Sequence, residues 1–126
     1  MVEASVARLL LEAAEQDAKA FAALAGLKEI GDAVVGFHAQ QAVEKSLKSV
    51  LSARGIAFRR THDLAELLDL IADQNLPSPP AADRLDELNP YAVEARYGLL
   101  GLSTPLDRSQ LSALIAKVLD WARAHQ

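Results

Sequence analysis

The side chains with the most chemistry in this 126-residue chain lie between Phe37 and His62. There Lys45, Lys48, Arg54, Arg59 and Arg60 face one carboxylate, Glu44, a local balance of +4 in a chain whose net charge is −4, which leaves −8 for the remainder. An acidic body with one basic stretch suits a discrete anion, such as a nucleotide or a short stretch of nucleic acid, better than extended duplex. On a helix Lys45 and Lys48 are neighbours, so a phosphate between them takes two charge-assisted hydrogen bonds and Gln41, one turn earlier, donates a third. Glu44 would steer Lys48 as an i,i+4 partner. The plainer alternative is a solvated stripe, worth a few tenths of a kcal/mol to the helix.

The other reactive residue types exclude more than they suggest. The chain has no cysteine, so disulfides, thiolate metal sites and cysteine nucleophiles are ruled out. Its three histidines, His38, His62 and His125, have no i,i+4 histidine partner and no compact carboxylate cluster beside them, so no metal site and no cofactor are expected. His62, at the start of a helix, is expected to hydrogen-bond across to Glu44 or Gln41 and to fix how that helix begins. His38 is expected at a surface or cleft edge and His125 at a frayed terminus, while Trp121 reads as a core or dimer contact. The opening MVEASVARLL has no basic leader before an apolar stretch, and no run approaches the roughly 18 apolar residues of a membrane span, so a soluble cytoplasmic protein is expected.

Helices must position these groups, because apolar residues recur at helical spacing along nearly the whole chain and no alternating strand pattern competes. A first helix is predicted from about Glu3 to Leu27 and a second from Asp32 to Arg54, closed by Gly55 as a left-handed residue. On the second, Ala39, Ala42, Val43, Leu47 and Val50 should face the core, and His38, Gln41, Glu44, Lys45 and Lys48 should face away from it. Thr61 is read as the cap of a third helix, with Asp63 near the positive end of its dipole. Ser78 and Pro79 are read as cap and first residue of a fourth, running with a kink at Pro90 to Arg96 or Tyr97. Thr104 and Pro105 repeat the signal for a last helix, with Leu111, Leu114, Ile115, Val118 and Leu119 on its buried stripe. The expected fold class is all-α, an up-and-down bundle of four long helices plus one short helix in a single domain spanning residues 1–126. A hydrophobic fraction of 51% exceeds what one such bundle hides, so a homodimer is expected.

Three blocks in order, Gln41-x-x-Glu44-Lys45-x-x-Lys48, then Thr61-His62-Asp63-Leu64, then Ala95-Arg96-Tyr97, resemble the HEPN family, named for higher eukaryotes and prokaryotes nucleotide-binding. The resemblance implies a helical bundle, commonly a homodimer, in small proteins often encoded beside a minimal nucleotidyltransferase as toxin–antitoxin modules. Arg96 matches the family's late-helix arginine, which holds the phosphate in the ribonuclease members; combined with the helix-two reading, it is expected to face Gln41, Lys45 and Lys48 from the opposite wall of a cleft supported by Glu44, His62, Asp63 and Tyr97. Ribonuclease members carry an R-x4-6-H motif, in which the histidine does acid/base work. It is missing here: no histidine follows Arg96 at that spacing, Arg54 is eight residues before His62, and Gly98 stands where many relatives have proline. The implied protein binds a nucleotide or RNA phosphate beside a separate nucleotidyltransferase, with no catalytic residue assigned. Its alternatives are a ribonuclease toxin with a non-standard site around Arg96 and His62, and a structural dimerisation module.

Overall fold

A computed structural model describes residues 2–97 and 105–126, with side chains over 5–93 and 105–126. Among the described residues every regular element is a helix, with α1 at Val2–Ala25, α2 at Asp32–Ala53, α3 at Leu64–Asp73, a single 3-10 turn at Leu85–Leu88, α4 at Asn89–Tyr97 and α5 at Arg108–Ala124. None of these helices is long and apolar enough to cross a membrane.

On α1 the positions Ala7, Ala14 and Phe21 recur every seven residues and are almost wholly buried, with Leu11, Ala18 and Ala25 packed beside them. That spacing keeps one stripe of the helix on its neighbour. Alanines also fill the buried positions 39 and 42 of α2, and small residues of this kind let two helices approach toward the lower end of the usual interaxial distance of about 8–10 Å. The tie of Asp17 in mid-α1 to His38 and Lys45 in mid-α2 makes the first two helices an antiparallel hairpin. Arg108 begins α5 at the hairpin's turn, and Arg123 near its end reaches Glu15, so α5 runs back alongside α1. Tyr91 on α4 packs over Gly36, where a Cβ would overlap its ring. With α4 rising from Asn89, beside Asp63, toward Gly36, the helices α1, α2, α4 and α5 alternate in direction, and α3 fills the crossover.

The centre of the bundle is α2. Leu47, Val50, Leu51, Leu64, Leu67, Ile71, Val118 and Phe21 meet in one core, and each fully buried large apolar side chain contributes about 1.5–3 kcal/mol. Because α1, α3, α4 and α5 all contact α2, polar residues on it are buried as well. Ser46 and Ser49 are fully enclosed and return their hydroxyl protons to the helix, to the carbonyls of Ala42 and Ser46, each at 2.7 Å.

Three boundaries differ from those the sequence predicts. The stretch from Ser78 is not the first half of a long fourth helix: Asn75 and Ala81 sit at φ of 56° and 55°, which breaks helical continuity on both sides of the proline-rich segment. The helix starts instead at Asn89, and Pro90 lies in its first turn, where a missing N–H costs nothing and no kink results. The cap of α3 is Asp63 rather than Thr61. Its carboxylate accepts from the Ala65 N–H at 3.0 Å, while the Thr61 hydroxyl accepts from the Asp63 N–H, so His62 precedes the helix. Likewise Asp107 caps α5 through the Gln110 N–H at 3.0 Å; the predicted cap, Thr104, lies outside the described residues. At the start of α3 a carboxylate two residues downstream took the place of the hydroxyl. The C-terminus is also tied down rather than frayed, with His125 Nδ1 2.7 Å from the Trp121 carbonyl and the Gln126 amide donating to Ser49.

Arg108 fastens the hairpin turn to α5. Its guanidinium donates to Asp32 Oδ1, to the carbonyl of Ala25, an acceptor that the end of α1 leaves without an intrahelical partner, and to the carbonyls of Leu27 and Ile30 in the turn that follows. Asp32 Oδ2 in turn accepts from the Leu106 N–H at 2.9 Å. That backbone donor, and then Arg108, hold the Asp32 carboxyl below its ordinary value against the opposing effect of burial.

Candidate functional site

The residues picked out on α2 do not share a solvent face. Glu44 is 3% exposed and Gln41 9%, because α2 is covered on nearly every side by other helices. Both carboxylate oxygens of Glu44 are occupied. Oε1 lies 2.8 Å from His62 Nδ1 and accepts from Gln40 Nε2 at 3.0 Å, while Oε2 accepts from Lys48 Nζ at 3.1 Å. Gln41 donates to Gln40 Oε1 at 2.6 Å, which turns the Gln40 amide so that its nitrogen reaches both Glu44 and the His62 carbonyl. A buried carboxylate is tolerable only when paired and hydrogen-bonded in this way.

The segment between α2 and α3 delivers His62 to that carboxylate. Gly55 closes α2 in the left-handed region, at φ 69°, and the Ile56 N–H bonds back to the Leu51 carbonyl, so the chain reverses. It then returns along α2, with Phe58 level with Lys48 and His62 level with Glu44. Asp63 and Asn89 complete the anchor: the Asn89 amide donates to Asp63 Oδ1, and its oxygen accepts from the Leu64 N–H. His62 is therefore held on its Nδ1 side while its side chain remains 49% exposed. The expected bond to Glu44 is present, and the expected i,i+4 pair from Glu44 to Lys48 is present beside it.

The two lysines differ. Lys45 is taken by Asp17 on α1 at 2.6 Å, and the other oxygen of the same carboxylate faces His38 Nδ1 at 3.3 Å. Lys48 is more enclosed, shares its charge with Glu44, and lies 5.7 Å from the centre of the Phe58 ring. Lys45 and Lys48 are thus held by different carboxylates in different directions. Arg96 and Tyr97 belong to the last turn of α4, and their side chains lie outside the described residues. No group of three or more His, Asp or Glu among the described residues is arranged to hold a metal ion.

The HEPN domain family model matches residues 7–125, nearly the whole chain. The chain belongs to the HEPN family. No curated protein and no solved structure matches it significantly.

Two residues of this HEPN domain escape a reading by sequence alone. Gln40 sits between the two faces drawn on a helical projection and is fully buried, yet it holds Glu44, Gln41 and the His62 carbonyl together. The signal available was a second glutamine beside Gln41, polar at a position that a one-sided helix assigns to neither face. Asp17, which neutralises Lys45, had no local signal, since its partners are 21 and 28 residues away.

Proposed function

We propose that this HEPN domain binds a nucleotide or RNA phosphate where α2 meets the start of α3, and that it does so without catalysing phosphodiester cleavage. The carrying observation is the buried Glu44 carboxylate that gathers Gln40, Lys48 and His62. It leaves an ammonium with further N–H donors, and an imidazole whose Nε2 has no hydrogen bond among the described residues, on one partly open edge. A phosphate oxygen at that edge would take charge-assisted hydrogen bonds from both. Lys45 joins only by leaving Asp17, and Arg96 is assigned to the opposite wall by its place in the family motif. Gln41 acts through Gln40 as a positioning residue.

In this reading the chain is one domain, works as a homodimer in the cytoplasm, and partners a separate minimal nucleotidyltransferase in a toxin–antitoxin module. Family membership supports that context. Calorimetry with a panel of mononucleotides tests the binding: Lys48→Met and His62→Asn should each weaken affinity about tenfold, the loss of one charge-assisted bond. Affinity indifferent to both changes and to salt would overturn it.

The same pair favours a second reading, a ribonuclease. A buried carboxylate on Nδ1 orients an imidazole for proton transfer through Nε2, and His62 with Glu44 has that form. RNA degradation by purified wild-type protein, abolished in His62→Ala with the helical circular dichroism intact, would put this reading first.

A further inference from the structure

Helix α1 carries more apolar surface than its own bundle uses. Its inward stripe, built on Ala7, Ala14 and Phe21, is buried against the core. A second stripe, Val6, Leu9, Ala13, Gln16, Ala20 and Ala23, recurs at alternating intervals of three and four residues and lies roughly 150° around the helix from the first. None of these six side chains is buried, and Leu9 is 60% exposed. A surface helix needs one apolar stripe to join its core. A three-and-four repeat on its outer side is the pattern of a seam with a further helix.

The charges beside the seam select its occupant. Glu12 and Lys19 flank the stripe on one side and Asp17 on the other. Glu12 and Lys19 are exposed, and their side chains make no hydrogen bond or ion pair among the described residues. When α1 packs antiparallel on a second α1, Leu9 lies on the partner's Ala20, Val6 on the partner's Ala23 and Ala13 on the partner's Gln16, so that each larger side chain meets a small one. That register also brings Glu12 to the partner's Lys19 and, by two-fold symmetry, Lys19 to the partner's Glu12. Sliding one helix by a heptad either way opposes Glu12 to the partner's Glu12, or Lys19 to the partner's Lys19, and a parallel pair sets Glu12 against the partner's Asp17. Complementarity of one surface to itself is what a two-fold interface requires, and a foreign partner has no need of it.

We propose that the outward stripe of α1 is the seam of a two-fold dimer, in which α1 packs antiparallel on the partner's α1 with Glu12 and Lys19 paired across it. This rests on the homodimer of the functional reading and names its surface, orientation and register. The test follows the mass of the full chain by sedimentation at low salt over a concentration series, with circular dichroism as the check that helix is retained.

Leu9→Lys changes a side chain that is exposed in the single chain, so the bundle should survive while dimer affinity falls at least about a hundredfold, two large apolar groups having lost their cover. Glu12→Lys and Lys19→Glu should each weaken the dimer about tenfold, because each sets two like-charge pairs across the seam in place of two opposite ones. An equimolar mixture of these two single variants should recover wild-type affinity, since in the mixed dimer both pairs are opposite again. Undiminished dimerisation of Leu9→Lys would overturn the seam and leave the homodimer to another surface. Unchanged affinity in both charge variants, or a loss that mixing does not recover, would overturn the antiparallel register. A monomeric wild type at micromolar concentration would overturn the seam and the homodimer together.

Discussion

Replacing Glu44 by alanine tests whether the centre of the site is also a structural keystone. The substitution removes the acceptor shared by Gln40, Lys48 and His62 and strands the ammonium of Lys48, which is only 12% exposed. Breaking a buried, hydrogen-bonded pair by removing one partner costs about 3–5 kcal/mol. The half-exposed His62 can turn to water, and Lys48 can extend its flexible stem toward solvent, so the lower end of that range, about 3 kcal/mol, is expected. Unfolding entropy for a chain of this length is roughly 0.26 kcal/mol/K, so the melting temperature should fall by about 12 °C. Glu44→Gln keeps one acceptor oxygen but loses the charge, and should cost about 1.5–3 kcal/mol. Urea titration followed by circular dichroism, with thermal melts at matched protein concentration, measures both variants. A loss below about 1 kcal/mol for Glu44→Ala would refute the reasoning, because it would mean that the three donors find water and the network is dispensable.

Gly36→Ala should cost about 1–3 kcal/mol by overpacking against the Tyr91 ring, visible as a lower urea midpoint with unchanged slope. Asp17→Asn should cost little stability, since Lys45 and His38 both reach solvent, and should raise mononucleotide affinity by releasing Lys45; unchanged or weaker binding would show that Lys45 takes no part. The carboxyl of Asp32 is depressed in the folded state, so its contribution to stability is fully present above its unfolded value and is lost as pH falls through the lower folded value. Urea titrations from pH 5 down to about pH 2 should therefore show an acid-dependent loss that Asp32→Asn reduces. Light scattering at micromolar concentration should give a dimer mass; the exposed Val6, Leu9, Leu27, Val34 and Val93 supply apolar surface that a second copy would cover, and a monomer mass would remove that part of the reading.

Hydrophobic period and helix punctuation, both local properties, determined that this chain is an all-helical bundle. Asp32 and Gly55 marked the ends of α2 because a helix start and a left-handed stop depend on a few neighbouring residues. The bonds of Glu44 with Lys48 and His62 were legible too, the first from i,i+4 spacing and the second from a histidine beside a helix start. What the sequence could not decide was how many sides of α2 are covered. A helical projection gives a helix one buried face, but four other helices contact this one, so Gln41 and Glu44 went inside and Gln40 became the hinge of a buried polar network. Asp17 met Lys45 only once the first two helices had folded against each other. The choice of Asp63 over Thr61 as cap, and the loss of helix before Asn89, were also tertiary outcomes. Asn89, which bonds Asp63 from 26 residues downstream and the Leu64 N–H from 25, fixes where α3 begins, and no local pattern contains a partner that far along the chain.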